Sequence, residues 1–319
     1  MNRGAASAAQ LADGRLHLQH GPIDLIIEAW GEAAEVEAAY QQAIARFDNL
    51  LEVLVEELAQ LRTPLSGAHP LLRGPVARRM LAACWPYRAI YITPMAAVAG
   101  AVADEILQAM LKERDLRKAY VNNGGDIALH LSEGSALTLG VVNNADNPAI
   151  DATATLTTSM PVRGLATSGG RGRSQSLGIA DAVTIFAADA AAADAAATMV
   201  ANAVDVEHAA ISRVPARAVR ADSDLGELPV TVDVGILPAS SRAEALAKGC
   251  ERARELQRQG LIYAAYLALQ GEMRAVLPAG TQAALANAGD SLALARHIDG
   301  DLLQRRFNTL SKSSSTPST

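Results

Sequence analysis

Aromatic residues make up only 3% of the 319-residue chain. A pocket built mainly from stacked rings is therefore not expected. Cysteine is almost absent: Cys84 and Cys250 stand far apart in sequence. They form neither a CxxC nor a zinc ribbon, and a disulfide framework needs more cysteines. Two buried thiols are the expectation. Basic residues are not in excess, because 28 Lys and Arg face 34 Asp and Glu, a net charge of −6. General affinity for nucleic acid is thereby disfavoured. No apolar run reaches the roughly twenty residues of a membrane span; the longest, residues 90–103, contains Pro94. No secretory leader pattern is read at the start, so a cytoplasmic location is expected.

What the chain has in abundance is alanine, 66 residues. Half of the residues are apolar, enough to bury a sizeable core. Residues 1–14 are expected to be loose, 15–310 to form a single α+β domain with two subdomains left open, and 311–319 (SKSSSTPST) to be a disordered tail.

Residues 23–28 read as a strand. Apolar residues at spacings of three and four predict one long helix over 32–61. Residues 88–92 read as a short strand. Thr93 and Pro94 then predict a helix start, with Thr93 as cap, running to about residue 117. Short strands are expected at 120–122, 127–131, 136–142, 152–158, 182–186, 230–237 and 261–268, with helices over 189–204 and 243–259. Strand runs and separate helices indicate antiparallel sheet packed against helices rather than regular βαβ alternation.

Three segments carry chemistry. The first is Val121-Asn122-Asn123-Gly124-Gly125-Asp126-Ile127. Paired glycines let a ligand approach the backbone, and successive amides can cradle a phosphate; the same residues also signal a tight hairpin turn. The second runs from Gly164 to Gly178 and includes Thr167, Ser168, Gly169, Arg171, Arg173 and Ser176. Backbone donors, hydroxyls and fixed positive charge suit a phosphate; a surface loop is the plainer reading. The third contains Asp194 and Thr198, i and i+4 on an alanine-rich helix. A carboxylate and a hydroxyl on one face can hold a hard cation such as Mg²⁺; a solvated Asp beside a back-bonded Thr is the alternative. Arg213 and Arg217 read as surface charges, and Asp222 and Asp224 as an acidic loop.

Those three segments, in that order, resemble the ApbE-like proteins, the FAD:protein FMN transferases. VNNGGDI is similar to their V-N-x-G-G-D-I stretch, and ADAVTIFAADAAAADAAAT to their stretch ending A-D-A-L-A-T. Residues 97–107 (AVAGAVADEIL) resemble the helix before the GGD strand, and Ala166 to Gly169 their A-T-S-G segment. The resemblance covers about residues 90–205. It implies an ApbE-like fold that binds FAD or FMN, with Gly124, Gly125 and Asp126, beside Asn123, against the flavin. Asp194 and Thr198 match the Mg²⁺ pair. In that family FMN passes from FAD to a threonine hydroxyl of an acceptor protein. Two departures stand out. The family's H-I-x-D-P-x-T-G segment is missing, with Gln175 roughly at the His position, and its helix Lys is replaced by Ala99. The resemblance places this chain nearest a branch without that His motif. Asp181, or Asp126, is the candidate general base. A nucleotide ligand is expected, an acceptor protein and a homodimer are left open, and neither nucleic acid nor membrane is expected. A non-catalytic cofactor carrier, or an enzyme of small-molecule catabolism with a reshaped pocket, remains an alternative.

Overall fold

A computed structural model describes residues 5–141, 152–170 and 175–278. Arg171, Arg173 and the 311–319 tail lie outside the described residues.

The chain opens with strands β1 (Ser7–Gln10), β2 (Leu16–His20) and β3 (Ile23–Gly31). Helices α1 (Ala33–Phe47), α2 (Leu50–Glu56), α3 (Leu58–Leu61), α4 (Pro75–Cys84) and α5 (Val98–Leu111) follow. Then come β4 (Leu116–Asn123), β5 (Asp126–Leu131), β6 (Ala136–Val141), β7 (Ala152–Thr157), β8 (Gly164–Ser168) and β9 (Ala182–Ala187). The rest is α6 (Ala190–Ala203), β10 (Ile211–Pro215), α7 (Ala216–Val219), β11 (Pro229–Val234), α8 (Ala239–Arg258), β12 (Ala264–Leu269) and β13 (Glu272–Val276).

Among the described residues, nine strands form one sheet in the order β1-β2-β3-β4-β5-β8-β9-β12-β13. Every neighbouring pair is antiparallel. The two faces separate by strand period two. Ala119, Val121 and Ala128 point into the larger core, under α5 and α6. Leu129, Leu131, Leu165 and Phe186 join Leu137 and Leu156 of the β6–β7 hairpin in a second core. The α+β architecture of antiparallel sheet and packed helices is thus present. Both cysteines are free and buried. The helical stretch Pro94–Leu111 is long and apolar enough to span a membrane, yet most of it is buried. Gly100, Val102, Ile106 and Met110 show why: they pack inside the core.

Several expectations are corrected. Residues 7–10, expected to be loose, form β1, because backbone pairing with β2 orders an otherwise exposed strand. The single helix over 32–61 is three helices, with breaks at Asp48–Asn49 and at Glu57. The Glu57 carboxylate accepts hydrogen bonds from the Arg73 and Gly74 N–H groups, and so serves the start of α4. Residues 88–92 are not a strand. A 3₁₀ turn at Trp85–Tyr87 continues into turns closed by Arg88 and Ile90, and no strand pairs with this stretch among the described residues. The helix that begins at Thr93 opens as a 3₁₀ turn, Pro94–Ala97, and ends at Leu111. Glu113 then takes the left-handed conformation, φ 58°, and residues 116–123 become β4. Gly164–Ser168, expected within a loop, is β8 between β5 and β9.

Candidate functional site

A cavity of about 370 Å³ opens where β4, β5 and β8 end beside α5 and α6. Its floor follows from the hairpin chemistry. Gly124 and Gly125 both have positive φ, 65° and 112°, the backbone of a two-residue turn that glycine adopts without penalty. Asn123 and Asp126 are therefore directly paired across β4 and β5. Asn123 shares the helix-side face with Val121, and Asp126 shares it with Ala128. There the Asn123 Nδ2 donates to the Ala99 carbonyl at 3.0 Å, and Asp126 Oδ1 accepts from Thr167 N–H at 3.2 Å.

Helix α6 supplies the facing wall. It is capped by Asp189, whose carboxylate accepts from Ala192 N–H at 2.7 Å. Asp104 reaches over from α5 and accepts from Ala190 and Ala191 N–H groups at 3.0 and 2.9 Å. Close packing makes this contact: a Cβ on Gly100 would lie 2.2 Å from the Ala190 carbonyl oxygen. With α5 and α6 nearly touching, Asp194 Oδ2 accepts from Gly100 N–H at 3.1 Å. Asp194 and Thr198 both line the cavity, as does Asn202 one turn further on.

The electrostatics of this wall are dominated by carboxyls. Burial, and then the Asp194 charge, raise the Asp126 carboxyl well above the usual carboxylate range. Burial raises Asp194 to about 7, opposed by the Gly100 N–H and by a hydrogen bond with Asp126. Burial, helped by the Asp189 charge, raises Asp104 to about 6. Both carboxyls are therefore raised, and each keeps its proton to a higher pH than a free carboxyl would. A hard cation could take that proton's place, because Asp126, Asp194 and Thr198 all offer oxygen. No group of three or more His, Cys, Asp or Glu side chains with metal-binding geometry occurs among the described residues. A cation here would therefore take two carboxylates and complete its shell with hydroxyl, ligand or water oxygens.

Of the residues expected from sequence, Asn123, Gly124, Asp126, Thr167, Ser168, Gly169, Asp194 and Thr198 line this one cavity. Gly125 turns the hairpin but does not line it. Ser176 is buried behind the wall, where its hydroxyl accepts from Gly178 N–H at 3.2 Å. Asp181 does not line the cavity either; its Oδ2 accepts from Gln270 N–H at 2.5 Å. That contact ties β9 to the β12–β13 turn.

The roof went unread. Tyr91, Thr93, Gln175, Arg220, Ser223 and Asp224 line the cavity from loops far apart in sequence. The Thr93 hydroxyl does not cap its helix but hydrogen-bonds the Asp224 carboxylate. The Tyr91 hydroxyl donates to the Asp224 carbonyl. Gln175 spends both ends of its amide on the same segment: Nε2 donates to the Ala216 carbonyl and Oε1 accepts from the Ser223 hydroxyl. Arg213 and Arg217, read as surface charges, pair with Asp205 and Glu227. In sequence, Asp224 stands out only as part of an acidic loop, Thr93 only as a helix cap and Gln175 only as the residue roughly at the family His position; no signal in sequence brings them together.

A family model described as "AbpE bacteria" matches residues 8–275. A UPF0280 protein of Methanothrix thermoacetophila is 37% identical over 131 residues, which is 41% of this chain and 52% of that protein. A UPF0280 protein of Methanothermobacter thermautotrophicus is 35% identical over 141 residues, 43% of this chain and 53% of that protein. The chain thus spans about half the length of the curated relatives it matches. The apo crystal structure of the Pseudomonas stutzeri flavinyl transferase ApbE aligns over 86% of this chain and 96% of that one, at 13% identity and a TM-score of 0.39.

Proposed function

We propose, for a chain that belongs to the family described as "AbpE bacteria", that the cavity binds a flavin nucleotide, FAD or FMN, together with Mg²⁺. The observation that carries this reading is the meeting of the GGD turn, the Thr167-Ser168-Gly169 segment and the Asp194/Thr198 helix around one cavity. These are the segments whose order resembles the FMN transferases. Asp194, Thr198 and Asp126 would hold the Mg²⁺, which would neutralise diphosphate charge when bound. The Gly124 turn and Thr167 to Gly169 would position the nucleotide. As an enzyme, the protein would transfer FMN or cleave the FAD pyrophosphate, chemistry that rests on positioning and charge stabilisation.

A second reading, binding without turnover, is favoured by one observation. Asp181, the sequence candidate for general base, accepts from Gln270 N–H and is not among the residues that line the cavity. No histidine is among the described residues that line the cavity. Asp126 is the remaining acid–base candidate.

Incubation with FAD and Mg²⁺, followed by analysis of bound and free flavin, tests both. FMN release, or flavin fixed to an added acceptor protein, would establish the enzyme. Retained and unchanged FAD would establish the carrier. Absence of any retained flavin would reject the flavin reading.

A further inference from the structure

Arg220 is the one cationic side chain among the described residues that line the cavity. It sits in a segment rich in acids: Asp222, Asp224 and Glu227 all lie within seven residues of it. Each of those acids is engaged elsewhere. Asp222 pairs with Arg62 at 3.0 Å, Asp224 bonds the Thr93 hydroxyl, and Glu227 pairs with Arg217. Among the described residues, Arg220 makes backbone bonds alone: its N–H donates to the Ala216 carbonyl and its carbonyl accepts from Ser223 N–H.

The segment that carries it is held firmly. Gln175 clamps it at Ala216 and Ser223, Tyr91 and Thr93 clamp it at Asp224, and Arg62 clamps it at Asp222. Its own turn is closed by Arg217 N–H to the Gly226 carbonyl and Leu228 N–H to the Leu225 carbonyl. An arginine with five donors is thus presented at the cavity on a fixed backbone, with nearby acids already paired. A guanidinium matches the planar oxygens of a carboxylate or a phosphate and binds either in two-pronged fashion.

We infer that Arg220 is a ligand-binding residue that takes an oxyanionic group of the cavity's ligand, across the cavity mouth from the Asp126/Asp194 wall. The inference rests on the cavity being a ligand site, as proposed above, but not on the ligand being a flavin. It defines the ligand class as a molecule with an anionic phosphoryl or carboxyl group for Arg220.

The test is calorimetric titration of inorganic pyrophosphate, and separately of malonate, into the full chain. Wild type is compared with Arg220→Gln, Arg220→Lys and Arg217→Gln. Arg217 is paired with Glu227 and does not line the cavity, so its variant should bind like wild type. Arg220→Gln should lower affinity for one of the anions by about ten- to a hundredfold, and flatten its salt dependence. Arg220→Lys should recover only part of the loss, because a point charge replaces the planar fork. Loss confined to pyrophosphate assigns a phosphoryl ligand, and loss confined to malonate assigns a carboxylate. Failure of wild type to bind either anion, or equal binding by wild type and Arg220→Gln, overturns the inference. A pyrophosphate site that needs Arg220 in a protein that ignores FAD would keep the inference and reject the flavin reading.

Discussion

Asp126, paired with Asn123 across the double-glycine turn, and Asp194, held by the Gly100 N–H at 3.1 Å on the alanine-rich helix, line the same cavity. Among the described residues, neither is paired with a basic side chain. Burial raises both carboxyls; the Asp194 charge adds to the rise at Asp126, and the Asp104 charge to the rise at Asp194. A cation bound at these carboxyls would displace a proton.

Mg²⁺ binding should therefore depend on pH. The cation competes with the Asp194 proton, so its affinity should rise as pH passes upward through about 7, where Asp194 ionises. Titration of MgCl₂ at pH 6 and pH 8 in buffers of different ionisation enthalpy checks this. Tighter binding at pH 8 with proton release near pH 7 is expected.

Stability should move the opposite way in the metal-free protein. A carboxyl raised in the folded state binds its proton more tightly there than in the unfolded chain. Its contribution is fully present below the unfolded value, near 4, and is lost as pH rises through the folded value, about 7 for Asp194. Asp194→Asn removes that loss. The variant should gain in thermal midpoint relative to wild type at pH 8 and show a smaller difference at pH 4, while losing Mg²⁺ binding. Melting curves of both proteins across that range, without metal, provide the measurement.

Gly100→Ala should be costly. The added methyl would sit 2.2 Å from the Ala190 carbonyl oxygen, and backbone rather than a pliant side chain must move. Overpacking of this kind costs roughly 1–3 kcal/mol. Because Gly100 N–H also holds Asp194 at 3.1 Å, ligand affinity should fall along with stability. Denaturant unfolding and Mg²⁺ titration of the same variant read both effects.

Asp104→Ala should loosen the helix that carries Asp194. It would strip two N–H groups, of Ala190 and Ala191, of their acceptor in a largely buried place. A loss of about 1–3 kcal/mol is expected from unmet donors. Asp104→Asn, which keeps one acceptor, should lose less; urea unfolding of the two variants ranks them.

The floor of this site was legible in sequence, and the roof was not. Asn123 to Asp126 can be read because Asn-Gly-Gly between alternating apolar residues signals a hairpin, and pairing then sets Asn123 opposite Asp126. Asp194 and Thr198 can be read because one turn of helix relates them. Thr167 to Gly169 could be picked out in sequence, and they line the cavity, but Gly164 to Ser168 was not legible as a strand, since its glycine and hydroxyls resemble loop composition. Its neighbours β5 and β9 supply the hydrogen bonds that make it one. Thr93 meets Asp224 across 131 residues of chain, and Gln175 meets Ser223 across 48, with no local period to announce either contact. The break at Glu57 was hidden for a related reason. The apolar spacing continues through it, and only the tertiary bonds to Arg73 and Gly74 show why the helix stops.

The most direct test of the central claim is calorimetric titration of FAD, with and without Mg²⁺, into wild type and Asp194→Ala. The account predicts micromolar binding that requires Mg²⁺ and vanishes in the variant. Absence of FAD binding to wild type, or binding that is indifferent to both Mg²⁺ and Asp194, would contradict it.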